Sequence, residues 1–421
     1  KLHEALASYE RAIAVQPKYA EAFYNRGIVL KELNRLDEAV ESYGRAISIR
    51  PDYAEAFYNR GIALKELNRF DEALASYDKA ISVQPDYADA CWNKGLLNLL
   101  LGRFQEGFSL YEARKLKSEP SGAWTYPKPL WLGEDDIAGK RILIHWEQGL
   151  GDTIQFCRYV LLLAKMGAKV LFAPQTSLKR LMSPLANVCD ILDATDPHLE
   201  FDFHCPLISL PHAFKTDLSN IPATTPYLFA HAARVAELRR EISQGSTKKI
   251  CGLSWLSNNS ATGKSRSVAL SDLFAAVDSR DYIFVNLQYG DVAQEIADLQ
   301  AEKGVSVRSI ATIDNYHDLD GFAALVDACD TIVTIDNTTA HMAGALNKRT
   351  FLLLPFVPDW RWLLDREDSP WYPSLRLFRQ SVDGDWSDVL MALNTALRGV
   401  AEALAQAKPF YIQLLPLPVG G

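Results

Sequence analysis

The chain has 421 residues, 48% of them hydrophobic and 23% charged, with a net charge of −8. These values fit a soluble globular chain of two or three domains and exclude disordered, collagen-like and disulfide-scaffold proteins. The acidic balance argues against a general nucleic-acid or anionic-membrane binder, which needs clustered positive charge.

The front of the chain repeats itself. "YAEAFYNRGI" occurs at 19–28 and at 53–62, and "LKELNR" at 30–35 and 64–69. Pro17, Pro51 and Pro85 are spaced by one period, as are Tyr9, Tyr43, Tyr77 and Tyr111. Small residues recur in phase at Gly27, Gly61 and Gly95, and at Ala5, Ala39 and Ala73. This pattern resembles the tetratricopeptide repeat, a helix pair whose small residues let the two helices approach and whose proline ends the second. Residues 1–117 are therefore expected to form an α-solenoid, with a junction unit at its end. There Gly107 replaces the expected alanine, and Arg114 falls where Ala12, Ala46 and Ala80 sit. The sequence opens at Lys1 inside half a repeat, which points to a piece of a longer protein. Asn25, Asn59 and Asn93 share one phase. They read either as polar residues tolerant of partial exposure or as a ladder of amides that binds an extended peptide backbone.

Residues 118–138, rich in Pro and Gly and containing Trp124 and Trp131, read as a linker packed on the next part. From 139 the period changes. Strand-like runs lie at 141–147, 169–174 and 203–210, with helical stretches at 153–166 and 177–184. A second series of strands lies at 249–255, 282–288, 330–336, 350–356 and 375–380. Its helices are expected at 270–278, 291–301, 318–327, 338–346 and 386–405. Alternation of this kind predicts two α/β units with parallel sheets, 139–245 and 246–405, facing a cleft. The closing helix is expected to return toward the first unit, and 228–244 to bridge the two. The tail 406–421 carries no assignment.

Four loops at strand ends carry polar chemistry. In "EQGLGDT" (147–153), Asp152 either caps a helix or acts as a general base, and Glu147 is the loop's second carboxylate. In "TIDNTTAHMAGAL" (334–346), Asp336, Asn337, Thr338 and Thr339 surround a helix start suited to an anion, and His341, one turn in, reads either as a structural residue or as part of that site. In "SWLSNNSATGKSRS" (254–267), which opens on Ser254, Lys264 and Arg266 read either as part of a solvated loop or as a cationic arm that neutralises a leaving diphosphate. Gln288 and Tyr289 end a strand at the same rim.

No His, Cys and Asp cluster has metal-ligand spacing, and the six cysteines form no CxxC pair. They read as reduced thiols of a cytoplasmic protein. No apolar run approaches the ~20 residues of a membrane span.

Residues 139–404 resemble a glycosyltransferase of the GT-B architecture, and within it the heptosyltransferase-like group with its tetratricopeptide-fused bacterial members. The resemblance rests on "GDTIQFCRY" (151–159), "DNTTAHMAGAL" (336–346) and "DWRWLLDREDSPWYPSLRLFRQ" (359–380). It implies an inverting, metal-independent transfer of a sugar from a nucleotide-sugar donor to an acceptor hydroxyl, without a cofactor. In this reading Asp152 is the base, with Glu147 the second candidate and Lys264 assisting departure of the phosphate. Ser254, Lys264, Arg266, Gln288, Tyr289, Asp336, Asn337, Thr338, Thr339 and His341 hold the donor. Asn25, Asn59 and Asn93 hold a protein or peptide acceptor, as asparagines do in the solenoid of O-GlcNAc transferase. Flagellin glycosyltransferases share this domain order, so Ser or Thr of a protein is the expected acceptor. Asn337 and Thr338 depart from the group's Thr/Ser and Gly. Two other readings are a tetratricopeptide scaffold with an inactive GT-B part, and a transferase acting on a surface or lipid-linked glycan.

Overall fold

The computed structural model of the protein describes residues 1–117, 126–192, 199–259, 262–278 and 280–406. Trp124 and the tail beyond Gln406 lie outside the described residues. The repeats are seven helices, α1 (Leu2–Val15), α2 (Ala20–Glu32), α3 (Leu36–Ile49), α4 (Ala54–Glu66), α5 (Phe70–Val83), α6 (Ala88–Leu100) and α7 (Phe104–Tyr111). The small residues have a steric cause. A Cβ at Gly27 or Gly61 would stand 2.6 Å from the ring of Tyr43 or Tyr77, and one at Gly95 would meet the backbone nitrogen of Tyr111 at 2.9 Å. Asn34, Asn68 and Gly102 occupy left-handed conformations where the chain turns between paired helices. These are the residue types that tolerate such a turn.

After the repeats, Trp131 is buried, and its backbone N–H donates to the carbonyl of His204 at 2.9 Å. This part of the linker is thus packed against the first sheet. That sheet holds β1 (Arg141–His145), β2 (Lys169–Ala173), β3 (Cys189–Ile191) and β4 (Phe203–Pro206) in the order β3-β2-β1-β4, all parallel. Its helices are α8 (Leu150–Phe156), α9 (Val160–Lys165), α10 (Leu210–Ala213) and the bridging α11 (Ala232–Ser243). The second unit alternates β5 (Lys249–Ser254), α12 (Gly263–Arg266), α13 (Leu270–Ala276), β6 (Tyr282–Asn286), α14 (Ala293–Lys303), β7 (Val307–Arg308) and α15 (Leu319–Ala328). It continues with β8 (Thr331–Ile335), α16 (Thr338–Ala345), β9 (Thr350–Leu354), β10 (Leu375–Arg379) and α17 (Ser387–Gln406). Its sheet runs β10-β9-β8-β5-β6-β7, all parallel, which is the doubly wound order with its switch point between β5 and β8.

Three expectations are corrected. The run 203–210 leaves the sheet at Pro206 and turns helical, because Leu207 and Ile208 of a 3-10 turn and Leu210 of α10 bury against the core. The helix expected at 177–184 is a pair of short 3-10 turns at Thr176–Leu178 and Ser183–Asn187, the second opened by Pro184, which cannot sit inside a longer helix. Over its described side chains α17 packs on its own unit. Val389, Leu390, Leu393 and Leu397 join the core of β5, β6 and α13, and the Tyr282 hydroxyl donates to the Leu397 carbonyl at 2.8 Å. Strands β3 and β7 were not expected; they are three and two residues long.

One continuous apolar core runs from Leu6 in the repeats through the first sheet to Trp360, Trp371 and Leu377 in the second unit. Phe104 and Phe108 of α7, Phe156 of α8, and Trp360 and Trp371 pack ring against ring, with centroids 5.5–6.4 Å apart. The segment 359–380 is therefore where repeats, first unit and second unit meet.

Candidate functional site

At the carboxyl ends of the strands a cavity of about 950 Å³ opens between the two units. Gln148, Gly149, Leu150 and Gln175 line it from the first unit. Tyr289, Tyr316, His317, Thr338 and Thr339 face them from the second. The start of α16 thus looks across the cavity at the start of α8.

Around the switch point the polar residues bind each other. The Asn337 side-chain oxygen caps α16 by accepting the Thr339 N–H at 3.0 Å, and its amide donates to the Ser254 hydroxyl at 2.7 Å. Ser254 in turn donates to Gln288 at 3.2 Å. Gln288 also accepts from the backbones of Trp255 and Leu256 and donates to the carbonyls of Leu256 and Tyr289. It is 2% exposed, so it holds the two strand ends together and does not line the cavity. Tyr289 does line it, with its hydroxyl accepting the Asn258 N–H at 3.0 Å.

His341 stands one turn into α16, behind the cavity. Its Nδ1 is 2.9 Å from the Tyr372 hydroxyl, and its ring stacks on Trp362. A Cβ at Gly151 would come within 2.7 Å of this ring, so glycine there lets α8 and α16 close on each other. Burial, aided by Arg361, pushes His341 down to about 3 and keeps it neutral. Lys264 is exposed on α12 and is not among the residues lining the cavity.

Both candidate carboxylates are engaged. Glu147 is buried, and both its oxygens receive Arg114, at 2.9 and 2.8 Å. Arg114 also donates to Glu112 at 2.7 Å and to the Ser209 hydroxyl at 2.8 Å. The departure from alanine at position 114 is thus the bolt between the repeats and the first unit, and Glu147 is its socket. Asp152 accepts the Gly149 N–H at 2.9 Å, so it caps α8, and its other oxygen pairs with Arg361. Burial leaves the Asp152 carboxyl raised, and Arg361 and the Gly149 N–H offset that only in part.

The sequence reading missed Arg361, Gln155 and Asp359 around Asp152. Arg361 donates to Gln155 at 2.7 Å and to Asp359 at 2.8 Å, and its guanidinium lies over the Trp360 ring. Arg266 joins Asp359 at 3.7 Å and Asp336 at 3.0 Å. Acidic and basic side chains therefore alternate from Asp152 through Arg361, Asp359 and Arg266 to Asp336, crossing from the first unit to the second. Burial would raise all three carboxyls, yet Arg361 and Arg266 hold Asp359 at about 2, whereas Asp336 stays raised. The alternation of Asp and Arg in "DWRW" was the available signal. Its partners lie some two hundred positions away, and spacing could not supply them.

In the repeats, Asn59 donates to the Tyr24 hydroxyl and to the Glu55 carbonyl, each at 3.0 Å. Asn93 does the same with Tyr58 and Asp89. Asn25 is half-buried at the equivalent phase. A carbonyl can only accept, which fixes the amide orientation and leaves the side-chain oxygen as the group still open to a ligand. Among the described residues no group of His, Cys, Asp and Glu could hold a metal ion, and no helix is long and apolar enough to cross a membrane.

The comparisons agree with the repeat reading. Residues 1–34 and 29–68 match a TPR repeat model, and 54–87 match a tetratricopeptide repeat model. The N-terminal region therefore consists of tetratricopeptide repeats followed by a region of parallel sheets. Protein FlbA of Caulobacter vibrioides (strain ATCC 19089 / CIP 103742 / CB 15) is 29% identical over 294 residues, covering 65% of this chain and 49% of its own. The chain thus spans about half the length of the curated relative it matches. Among solved structures, MamA is 25% identical with a TM-score of 0.26, covering 27% of this chain and 66% of that one. YrrB, described as a TPR protein with an unusual peptide-binding site, is 25% identical with a TM-score of 0.25, covering 27% and 58%.

Proposed function

We propose that the protein is a glycosyltransferase of the GT-B type that moves a sugar from a nucleotide-sugar donor to an acceptor hydroxyl, with a protein Ser or Thr presented by the repeats as the acceptor. The observation that carries this reading is the cavity of about 950 Å³ at the carboxyl ends of two parallel sheets, with the start of α16 on one wall and Gly149 and Leu150 on the other. Clefts at such switch points are where open α/β sheets bind nucleotides.

In this reading the donor diphosphate lies at Thr338 and Thr339, where the positive end of α16 favours an anion. The base faces Tyr289 and Tyr316, whose ring centroids are 6.2 Å apart. Asp152 takes the proton of the acceptor hydroxyl as its oxygen attacks the anomeric carbon. The bond from that carbon to the phosphate oxygen breaks, and its electron pair leaves with the nucleotide diphosphate. Inversion follows from this single displacement. The open side-chain oxygens of Asn59 and Asn93 accept backbone N–H groups of an extended acceptor.

The test is a thermal-shift series with UDP, GDP, ADP and CMP and their sugars, followed by donor hydrolysis and the intact mass of a co-expressed protein. Selective stabilisation by one nucleotide, with a glycosyl mass increment, is the expected result. No stabilisation by any nucleotide together with no hydrolysis overturns the reading.

A further inference from the structure

The structure places a residue beside Asp152 to which no role has been given. Arg361 follows β9, in the second unit, yet it is held from both sides of the cleft: by Gln155 and Asp152 from α8, and by Asp359 beside it. Its side chain is 10% exposed and that of Asp152 16%, so water screens the pair poorly. We propose that Arg361 is the positioning residue of Asp152, keeping that carboxylate ionised and fixed so that it can take a proton. This rests on the reading of Asp152 as the general base.

The argument is one of competing charges. Burial alone favours a protonated Asp152, which could not act as a base. The groups facing Asp152 are Arg361 and Asp359 after β9, Glu147 in its own loop, and Tyr111 at the end of the repeats. Glu147 is neutralised by Arg114. Tyr111 is neutral, its hydroxyl engaged with Gln148. His341, packed against Gly151, is buried and neutral. That leaves Arg361 as the cation in contact with Asp152, shared with Asp359. Asp359 in turn is shared with Arg266, which also binds Asp336. How strongly Arg361 serves Asp152 is therefore set by the remainder of the chain. Removing Asp359 would give Arg361 wholly to Asp152, and removing Arg361 would leave Asp152 to burial.

The experiment has two arms. In the first, the protein labelled with carboxyl-13C aspartate is titrated by NMR without donor or acceptor, with Asp152→Asn assigning the signal. Arg361→Met is expected to move the Asp152 titration to higher pH, Arg361→Lys to restore part of the difference, and Asp359→Asn to move it lower. An unchanged Asp152 titration in Arg361→Met overturns the proposal. Should Arg361→Met not fold, an unchanged titration in both Arg361→Lys and Asp359→Asn overturns it as well. In the second arm kcat/KM is followed against pH. In Arg361→Met the ratio of the rate at pH 6 to that at pH 8 is expected to fall, by about twofold to sixfold for a carboxyl raised by about one unit. A merely structural role would lower the rate equally at both. Full activity of Asp152→Asn would sink the base reading, while the NMR arm would still decide the role of Arg361.

Discussion

Arg114→Met is the sharpest test of how the repeats are joined to the sheets. The side chains of Arg114 and Glu147 are 4% and 7% exposed, and they meet through two bonds of 2.9 and 2.8 Å. Glu112 keeps Lys115 when Arg114 is lost, and Ser209 keeps Glu112. Glu147 keeps no such partner, because both of its oxygens are given to Arg114. The variant therefore buries an uncompensated carboxylate, which costs about 3–5 kcal/mol. The ring contact with Tyr111, over which the guanidinium lies at 4.9 Å, is lost in addition. Replacing both partners, Arg114→Met with Glu147→Leu, removes the orphaned charge and is expected to recover most of the loss. Arg35→Ala, which breaks an exposed pair with Glu38, is the control and should change nothing measurable. The assay is denaturant unfolding followed by tryptophan fluorescence. If the single variant is no less stable than the double, or no less stable than the control, the junction is not held by this pair.

Gly133 has φ +100°, and a Cβ there would stand 2.2 Å from the Ala213 carbonyl oxygen, whereas Gly139 has φ +72° with nothing near. Gly139→Ala should cost about 1–3 kcal/mol for backbone strain alone, and Gly133→Ala distinctly more, both read from melting curves. Burial pushes His145 down to about 3 and His204 to about 4, with the neighbouring ring contributing at His145. Both stay neutral in the fold and protonate near pH 6.5 in the unfolded chain. The unfolded state then binds more protons, so their contribution is full above about pH 6.5 and is lost as pH falls toward 4. The double variant His145→Asn, His204→Gln should flatten stability over that window, and denaturation at several pH values would show it. Replacing Asn25, Asn59 and Asn93 together by Ala should raise KM for a protein acceptor with little change in kcat, the mark of uniform binding lost; an unchanged KM removes the repeats from the acceptor path.

The repeats were legible because their period writes the packing into the sequence. Glycine recurs where a tyrosine ring of the facing helix leaves no room, and proline where each second helix ends. The parallel strands were legible for a related reason, since strands buried on both faces read as short apolar runs between polar loops. Strands β3 and β7 are too short to show such a run. The boundary at Pro206 was hidden because Leu207, Ile208 and Leu210 stay apolar while the chain turns from strand to helix. In the candidate site the residue types were visible and their partners were not. Asp152, Glu147, Asp336 and Arg266 were recognised as polar groups at strand ends. That Glu147 belongs to Arg114, and Asp152 to Arg361, follows only once distant segments touch.

This pairing changes how the site must be understood. Three carboxylates and two guanidiniums in the chain from Asp152 to Asp336 leave one negative charge in excess. Lys65 of α4 approaches Asp359 and Arg266 from the repeats, and burial lowers its ammonium while Asp359 supports it. The balance of the chain thus draws on all three parts of the molecule. The same three parts meet in the aromatic cluster of Phe104, Phe108, Phe156, Trp360 and Trp371. A change that loosened the repeats would therefore reach Asp152 through Trp360 and Arg361, which are neighbours in sequence and pack on each other. The segment 359–362 is small, but it sets both the seat of the solenoid and the charge of the carboxylate beside the cleft.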